Sequence, residues 1–344
     1  MSEALKTKYL SNLEQREVYN FDGPLRASVG RALQLHLGDD AGQVILQENV
    51  DKYQGDEVGA AKDLTEVFNI MKQLNAEGLS NPGLGRLEPN SKNFGQALDE
   101  SLKDVAQRCE GRPLTYVELG PEPSKTSHIL KRLRALGIDI ASYTGVDINP
   151  TSETEMRSVL QDTLPNDKIN YQTVPFESFN TQSLQGENTQ VLVTMLGFQE
   201  GNEDPATIAD WFKSMMTPGD LLLSEMQLYA EDRHADIQTL YHHPSMRRFS
   251  KIALTRALGN LFSDYHSYLV PVELADGHQM QAMILCEQLK DRDDHVTFVT
   301  NYCLKYSKEE FRRYRELSGA FNVVSETYTG DETIVFQLSQ RVGD

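Results

Sequence analysis

Residues 115–150 read TYVELGPEPSKTSHILKRLRALGIDIASYTGVDINP. Thr115, Tyr116, Val117, Glu118 and Leu119 make a short β-branched and apolar run, which is a strand. Gly120, with Pro121 and Pro123 behind it, turns the chain as it leaves that strand. Ser124 and Thr126 are candidates to cap the helix that follows. Ile129, Leu130, Leu133 and Leu136 recur on one helical stripe, and Gly137 stands where a left-handed residue would close it. A second strand over residues 142–146 then delivers Asp147. Strand, turn, helix, strand and acid in this order predict an open α/β sheet. In such a sheet the ligand lies beyond the carboxyl ends of the strands, where an acid after the second strand can grip a ribose diol. Glu118, Gly120 and Asp147 occupy those places.

The same alternation continues downstream. Ser152 stands three residues before Glu155, the spacing of a capping box, and opens another helix. Residues 168–174 form a third strand that leads to Pro175-Phe176-Glu177. There Phe176 can flank a flat ring and Glu177 can accept from an exocyclic amine, or both can simply pack at a strand end. A fourth strand, 191–196, runs into Gly197-Phe198-Gln199-Glu200-Gly201-Asn202, and a glycine directly after a buried strand lets backbone approach a ligand closely. A helix over 205–216, a turn at Pro218-Gly219-Asp220 and a fifth strand over 221–225 follow. Residues 227–301 interrupt the pattern with Leu240-Tyr241-His242-His243-Pro244, a helix over 245–261, and strands over 279–287 and 295–300. A helix over 308–318 and two strands, 322–325 and 333–338, joined by a turn at Asp331, suit an antiparallel hairpin at the sheet edge. Upstream, residues 1–112 read as mainly helical. Val58, Ala61, Leu64, Val67, Phe68, Met71 and Leu74 recur at helical spacing, as do Phe94, Leu98, Leu102, Val105 and Cys109.

The chain has 344 residues, 39% of them apolar, enough for one large core or two moderate ones. No window approaches the roughly 18 to 20 apolar residues of a membrane span, and the opening MSEALKTKYL lacks an apolar signal core, so the expected compartment is the cytoplasm. Cys109, Cys286 and Cys303 are too few and too scattered for a disulfide framework or a zinc site. His234, His242, His243, His266 and His278 lack metal-site spacing, so no metal is expected. Fifty-one acids against 33 Lys and Arg give a net charge of -18. That charge repels phosphate backbones and anionic lipid, which argues against nucleic acid or membrane as partner. It leaves the oligomeric state open.

A sheet of this kind serves a dinucleotide or S-adenosylmethionine, and the turn at Gly120 separates the two. G-x-G-x-x-G is absent, and those three glycines are what let a pyrophosphate sit against a helix start. Adenosylmethionine carries no phosphate. From Glu118 to its end the chain resembles the family of the histidine-specific Nα-methyltransferase of ergothioneine biosynthesis and the dimethylallyltryptophan N-methyltransferases. The matching pieces are Glu118-Leu119-Gly120 with Lys125-Thr126, Val146-Asp147-Ile148, Pro175-Phe176-Glu177, Leu196-Gly197 followed by Gly201-Asn202, Leu240-Tyr241, and Lys305-Tyr306-Ser307.

The resemblance implies a Rossmann-like adenosylmethionine-binding sheet with a terminal antiparallel hairpin, plus a second, substrate-covering domain. By this reading residues 1–112 are the helical N-terminal part of the substrate domain, and 113–226 the cofactor-binding domain. Residues 227–303 are the inserted part of the substrate domain, and 304–344 complete the sheet. The resemblance also implies roles. Gly120 lies against the cofactor's methionine part, Asp147 holds the ribose, and Phe176 and Glu177 sit near the adenine. Glu118, Lys125, Leu196 and Gly197 fall in the same cofactor motifs. Asn202 and Tyr241 hold the substrate's amino and carboxylate end and are the catalytic candidates. The N-terminal hundred residues lack the family's tyrosine-rich opening, so the resemblance carries no residue over there and Tyr19 and Tyr53 are only candidates. Two departures stand out. Glu122 replaces the second glycine of the usual E-L-G-x-G turn. The acid and serine of the family's E-x-S-x-K-Y pattern fall on Asn301 and Cys303, which cannot grip an imidazole in the same charge-assisted way. The resemblance implies an adenosylmethionine-dependent N-methyltransferase with a small-molecule substrate, an amino acid or an amino-acid derivative, and the departures point away from histidine. The alternative is a non-catalytic relative that binds the cofactor or a partner and supports another enzyme.

Overall fold

The computed structural model describes residues 24–46, 60–150, 152–186, 188–291 and 294–343. Tyr19 and Tyr53 lie outside the described residues. In chain order, α1 (Pro24–Leu37) is followed by β1 (Gln43–Leu46), α2 (Ala60–Ser80) and α3 (Phe94–Cys109). The central run is β2 (Leu114–Leu119), α4 (Pro123–Ala135), β3 (Ile140–Val146), α5 (Ser152–Leu160), β4 (Ile169–Gln172), β5 (Gln190–Met195), α6 (Pro205–Met215) and β6 (Leu221–Gln227). Then come α7 (His234–Tyr241), α8 (Pro244–Leu258), β7 (Asp264–Glu273), β8 (Gln279–Asp291) and β9 (Asp294–Lys305). The chain closes with α9 (Lys308–Glu316), β10 (Phe321–Tyr328) and β11 (Ile334–Arg341). No helix of the described residues is long and apolar enough to cross a membrane.

The chain divides into two compact units. One holds residues 64–200, 205–230 and 306–344. Its seven-stranded sheet has the order β10-β11-β6-β5-β2-β3-β4. Strands β6, β5, β2, β3 and β4 are parallel, while β11 pairs antiparallel with β6 and β10 antiparallel with β11. This is the Rossmann-like arrangement that the resemblance implies, with the reversed hairpin at one edge. All six residues of β2 are buried, as befits a central parallel strand covered on both faces. One face packs Tyr116, Tyr143 and Phe336 against Leu98, Leu102 and Val105 of α3 and Ile129, Leu130 and Leu133 of α4. The other packs Val117, Leu119, Val146, Val191 and Val193 against Ile208 and Phe212 of α6. Alternate residues of one strand therefore serve opposite layers, and Glu118 shares the α3 and α4 face with Tyr116.

The boundary expected at residue 112 is displaced. Residues 64–112 group with the seven-stranded sheet, because the apolar stripe of α3 is buried on Tyr116 and Phe336. Helical periodicity shows that α3 hides a face and leaves open which surface covers it. The later boundaries fall at 230/231 and 305/306, a few residues past those expected at 226/227 and 303/304, and residues 201–204 group with the other unit.

That other unit holds residues 1–63, 201–204 and 231–305. Its sheet has the order β1-β9-β8-β7, antiparallel except for a parallel β1–β9 pair. Strands β1 and β7 were not anticipated. β1 has only four residues inside a region read as helical, too short for alternation to register.

Candidate functional site

Strand β2 is the switch point of the seven-stranded sheet, with β3 on one side and β5 on the other. The chain leaves β2 at Gly120, whose φ of +66° puts it in the left-handed region, and its amide donates to Val146 O at the end of β3 at 2.9 Å. Directly before the turn, the Glu118 carboxyl is 2% exposed and accepts from Thr126 Oγ1 at 2.5 Å and from Tyr143 Oη at 3.2 Å. Burial pushes its pKa up to about 8, against the pull of the Thr126 hydrogen bond, so it holds a proton at neutral pH.

Glu122 has a definite place. It is the N-cap of α4, accepting from the amides of Ser124 at 2.8 Å and Lys125 at 2.9 Å, with Pro123 in the first helical turn. The cap expected from Ser124 or Thr126 thus comes from an upstream carboxylate. A dinucleotide's pyrophosphate needs those same helix-start amides, and here an anion of the chain already holds two of them. A phosphate-free cofactor has no such requirement. Lys125 turns inward. Its ammonium lies 2.7 Å from Glu225 Oε2 on β6, with both side chains nearly wholly buried, and 5.4 Å from the centre of the Phe94 ring.

Asp147 follows β3 at its carboxyl end. Its amide donates to Gln172 O, and its Oδ1 accepts from the Asn149 amide at 2.9 Å. Burial raises the carboxyl to about 6, partly offset by the Asn149 and Ile148 amides. At neutral pH it is an ionised acceptor in a poorly solvated place, which suits a diol. Phe176 and Glu177 lie in the 3-10 turn after β4, Phe176 half-buried against the α6-side core and Glu177 exposed. Leu196 is buried just past β5, and Gly197 and Phe198 are consecutive left-handed residues at +74° and +64°. A Cβ at Gly197 would meet nothing within 4 Å. Glu118, Gly120, Asp147, Leu196 and Gly197 therefore gather at the carboxyl ends of three neighbouring strands. A left-handed glycine turn, open space at Gly197, an ionised acceptor after β3 and a helix start closed to phosphate together fit adenosylmethionine.

Gln199, in the loop after β5, has a role that the sequence does not indicate. Its Nε2 donates to Leu196 O at 3.0 Å and reaches Leu119 O at 3.4 Å and Gly120 O at 3.5 Å, bridging the ends of β2 and β5. Composition offers no sign of this, because the direction of one side chain in a turn is set by the fold. Asn202 ends the same 3-10 turn, Gln199–Asn202, and is half-buried.

In the unit built on the β1-β9-β8-β7 sheet, β9 carries Asn301, Cys303 and Lys305 on one face by alternation. Asn301 is half-buried opposite Leu285, Cys303 is 4% exposed, and Lys305 has no exposure. Lys305 Nζ donates to Tyr241 Oη at 2.6 Å and lies 3.3 Å from Cys303 Sγ. Tyr241 is the last residue of α7, and its backbone carbonyl accepts from Tyr265 Oη at 2.6 Å. Burial lowers the Lys305 pKa and raises that of Tyr241. Tyr241, Cys303 and Lys305 form one cluster. The resemblance includes Lys305 in its Lys305-Tyr306-Ser307 piece without a role for it, and nothing in the sequence singles out Tyr265. Among the described residues no group of three or more His, Cys, Asp or Glu could hold a metal ion.

No curated protein matches the sequence. Among solved structures, an S-adenosylmethionine-dependent methyltransferase from Clostridium acetobutylicum is similar over 72% of this chain and 92% of its own, at 10% identity and a TM-score of 0.42. A protein from Bordetella parapertussis described as a possible exported protein is similar over 85% of this chain and 91% of its own, at 11% identity and a TM-score of 0.45. The glycopeptide N-methyltransferase MtfA, complexed with S-adenosylmethionine, is similar over 74% and 98%, at 10% identity and a TM-score of 0.38. The family model for the histidine-specific, S-adenosylmethionine-dependent methyltransferases matches residues 95–320, and the chain belongs to that family.

Proposed function

We propose that this methyltransferase transfers the methyl group to a nitrogen of an amino acid or amino-acid-derived small molecule, and that histidine is not its preferred substrate. The observation that carries the reading is the β9 face. The resemblance puts an acid and a serine where this chain has Asn301 and Cys303, beside the Lys305 and Tyr241 pair. Neutral Asn301 and nearly apolar Cys303 offer no charged acceptor to an imidazole. In this reading Asp147 holds the cofactor's ribose, Gly120, Leu196 and Gly197 line its amino-acid portion, and Phe176 and Glu177 flank its adenine. Glu118 and Lys125 act from within the core, Glu118 on Thr126 at the start of α4 and Lys125 on Glu225 of β6. The residues around the seven-stranded sheet bind the cofactor, and Asn202, Tyr241, Asn301 and Cys303 read the substrate.

The bound cofactor supplies an activated sulfonium methyl group. The chain's part is to hold an uncharged amine in line with it and to exclude water. Asn202 and Tyr241 are assigned the substrate's amino and carboxylate end, and Lys305 fixes the orientation of the Tyr241 hydroxyl. A mass-spectrometric screen of amino acids and amines with adenosylmethionine tests the reading. The expected result is a gain of one or more methyl masses on an amine other than histidine. Methylation confined to oxygen or carbon acceptors, or histidine as best substrate, would sink it.

A further inference from the structure

A Cβ built on Gly120 would lie 2.5 Å from Gln199 Nε2, 2.6 Å from its Oε1 and 2.9 Å from its Cδ. The Gln199 carboxamide therefore meets the glycine end-on, with its nitrogen and oxygen turned into the space that the missing side chain leaves. Its nitrogen is held by three carbonyls that converge from the ends of β2 and β5, namely Leu119, Gly120 and Leu196. Only the Leu196 contact, at 3.0 Å, has good hydrogen-bond length, and the other two, at 3.4 and 3.5 Å, are long. The carboxamide is thus seated but weakly held, on a half-buried side chain.

We infer that Gln199 is a plug of the cofactor site, which leaves Gly120 when the amino-acid portion of adenosylmethionine or S-adenosylhomocysteine takes the same seat. The inference rests on the reading that seats that portion on Gly120, and it adds a competitor from the chain's own side. The space beside Gly120 accommodates one polar head group at a time. A ligand ammonium on the same three carbonyls would make stronger, charge-assisted bonds than the neutral amide it displaces. Gln199 keeps the strand ends satisfied in the free protein and lowers the apparent affinity by the free energy of its own seating.

The test is calorimetric titration of S-adenosylhomocysteine into the native protein, Gln199→Ala and Gln199→Asn, whose amide is one methylene too short to reach the seat. Both variants are expected to bind about fivefold more tightly, the equivalent of about 1 kcal/mol for a modest net hydrogen bond. Stopped-flow binding supplies a second readout. The observed rate levels off with ligand concentration in the native protein, where the plug must open first, and stays linear in the variants. Equal or weaker binding by the variants, with the native protein still binding, overturns the plug and leaves the cofactor reading standing. No binding by any of the three proteins overturns both. If one variant fails to fold, the other decides.

Discussion

Lys305 Nζ donates to Tyr241 Oη at 2.6 Å from a position with no solvent exposure, and Cys303 Sγ lies 3.3 Å from the same amine. A buried amine of this kind is stabilised by its partners and destabilised by whatever removes one of them. Tyr241→Phe deletes the hydroxyl and leaves the amine short of a partner, which is expected to lower stability by about 1 to 3 kcal/mol. If the two act as a pair, Lys305→Met is less harmful in the Tyr241→Phe background than in the native one. Urea unfolding of the single and double variants measures the coupling, and additive effects would refute it. On the functional side, Tyr241→Phe should lower turnover while leaving affinity for S-adenosylhomocysteine unchanged.

Glu118 makes stability depend on pH. Its carboxyl titrates at about 8 in the folded protein, against an ordinary value of 4.5. Between those values the unfolded chain has lost a proton that the native state retains. Stability from this group is therefore complete below about 4.5 and falls as pH rises, by about 1.4 kcal/mol per unit, until the folded carboxyl ionises near 8. Glu118→Gln removes the titration and should flatten the decline across that window. Parallel stability profiles for the two proteins would show that Glu118 does not hold its proton.

Asp147→Ala is expected to weaken adenosylmethionine binding by about 1.5 to 3 kcal/mol, because hydrogen bonds to a charged acceptor are lost in a poorly solvated site. The same carboxyl titrates at about 6, so cofactor affinity should also fall as pH drops below 6 in the native protein and not in Asp147→Asn. Titration calorimetry at several pH values checks both statements. Unchanged affinity in a folded Asp147→Ala protein would take Asp147 out of the site.

Lys125 and Glu225 form an ion pair 2.7 Å apart in the core. Lys125→Met leaves the Glu225 carboxylate without its cation and should cost about 3 to 5 kcal/mol of stability. Adding Glu225→Gln should restore most of that loss, since the remaining groups are neutral. The double variant then isolates any direct contact with the cofactor. Its affinity for S-adenosylhomocysteine should stay close to the native value, and a large loss would place the Lys125 ammonium on the ligand.

The parallel sheet was legible because its strands and helices carry different apolar periods, and because Gly120 and Asp147 mark where the chain leaves two of those strands. The hairpin of β10 and β11 was legible too, since Asp331 gives its turn a carboxylate acceptor, which takes hydrogen bonds from Thr329 Oγ1 and the Thr333 amide. What a face packs against was not legible. The stripe of α3 gives no sign that it covers Tyr116 and Phe336, and so the first domain boundary was placed too late. Side-chain directions in turns were equally hidden. Sequence shows only that Glu122 replaces a glycine of the turn, not that its carboxylate caps α4, and nothing in the loop sequence marks Gln199 as the residue whose amide meets Gly120.

A pocket that reads a side chain through buried polar groups discriminates strongly, because a wrong substrate leaves a polar group unpaired at about 1 to 3 kcal/mol each. Asn301 both donates and accepts without charge, while Cys303 is small, nearly apolar and already in contact with the Lys305 amine. Neither supplies a carboxylate to stabilise an imidazole N–H. The net charge of -18 pulls toward cationic substrates, but diffuse surface charge is screened within about 8 Å at physiological salt and decides little in a closed pocket. Histidine should therefore be methylated poorly or not at all. Asn301→Glu combined with Cys303→Ser should move activity toward histidine, because residues 301 and 303 share one face of β9 and the serine hydroxyl can keep a polar contact to Lys305. Initial rates with histidine and with the best acceptor from the amine screen, for both proteins, measure the shift. Histidine turned over by the native protein as fast as its best substrate would show that the β9 face does not set specificity.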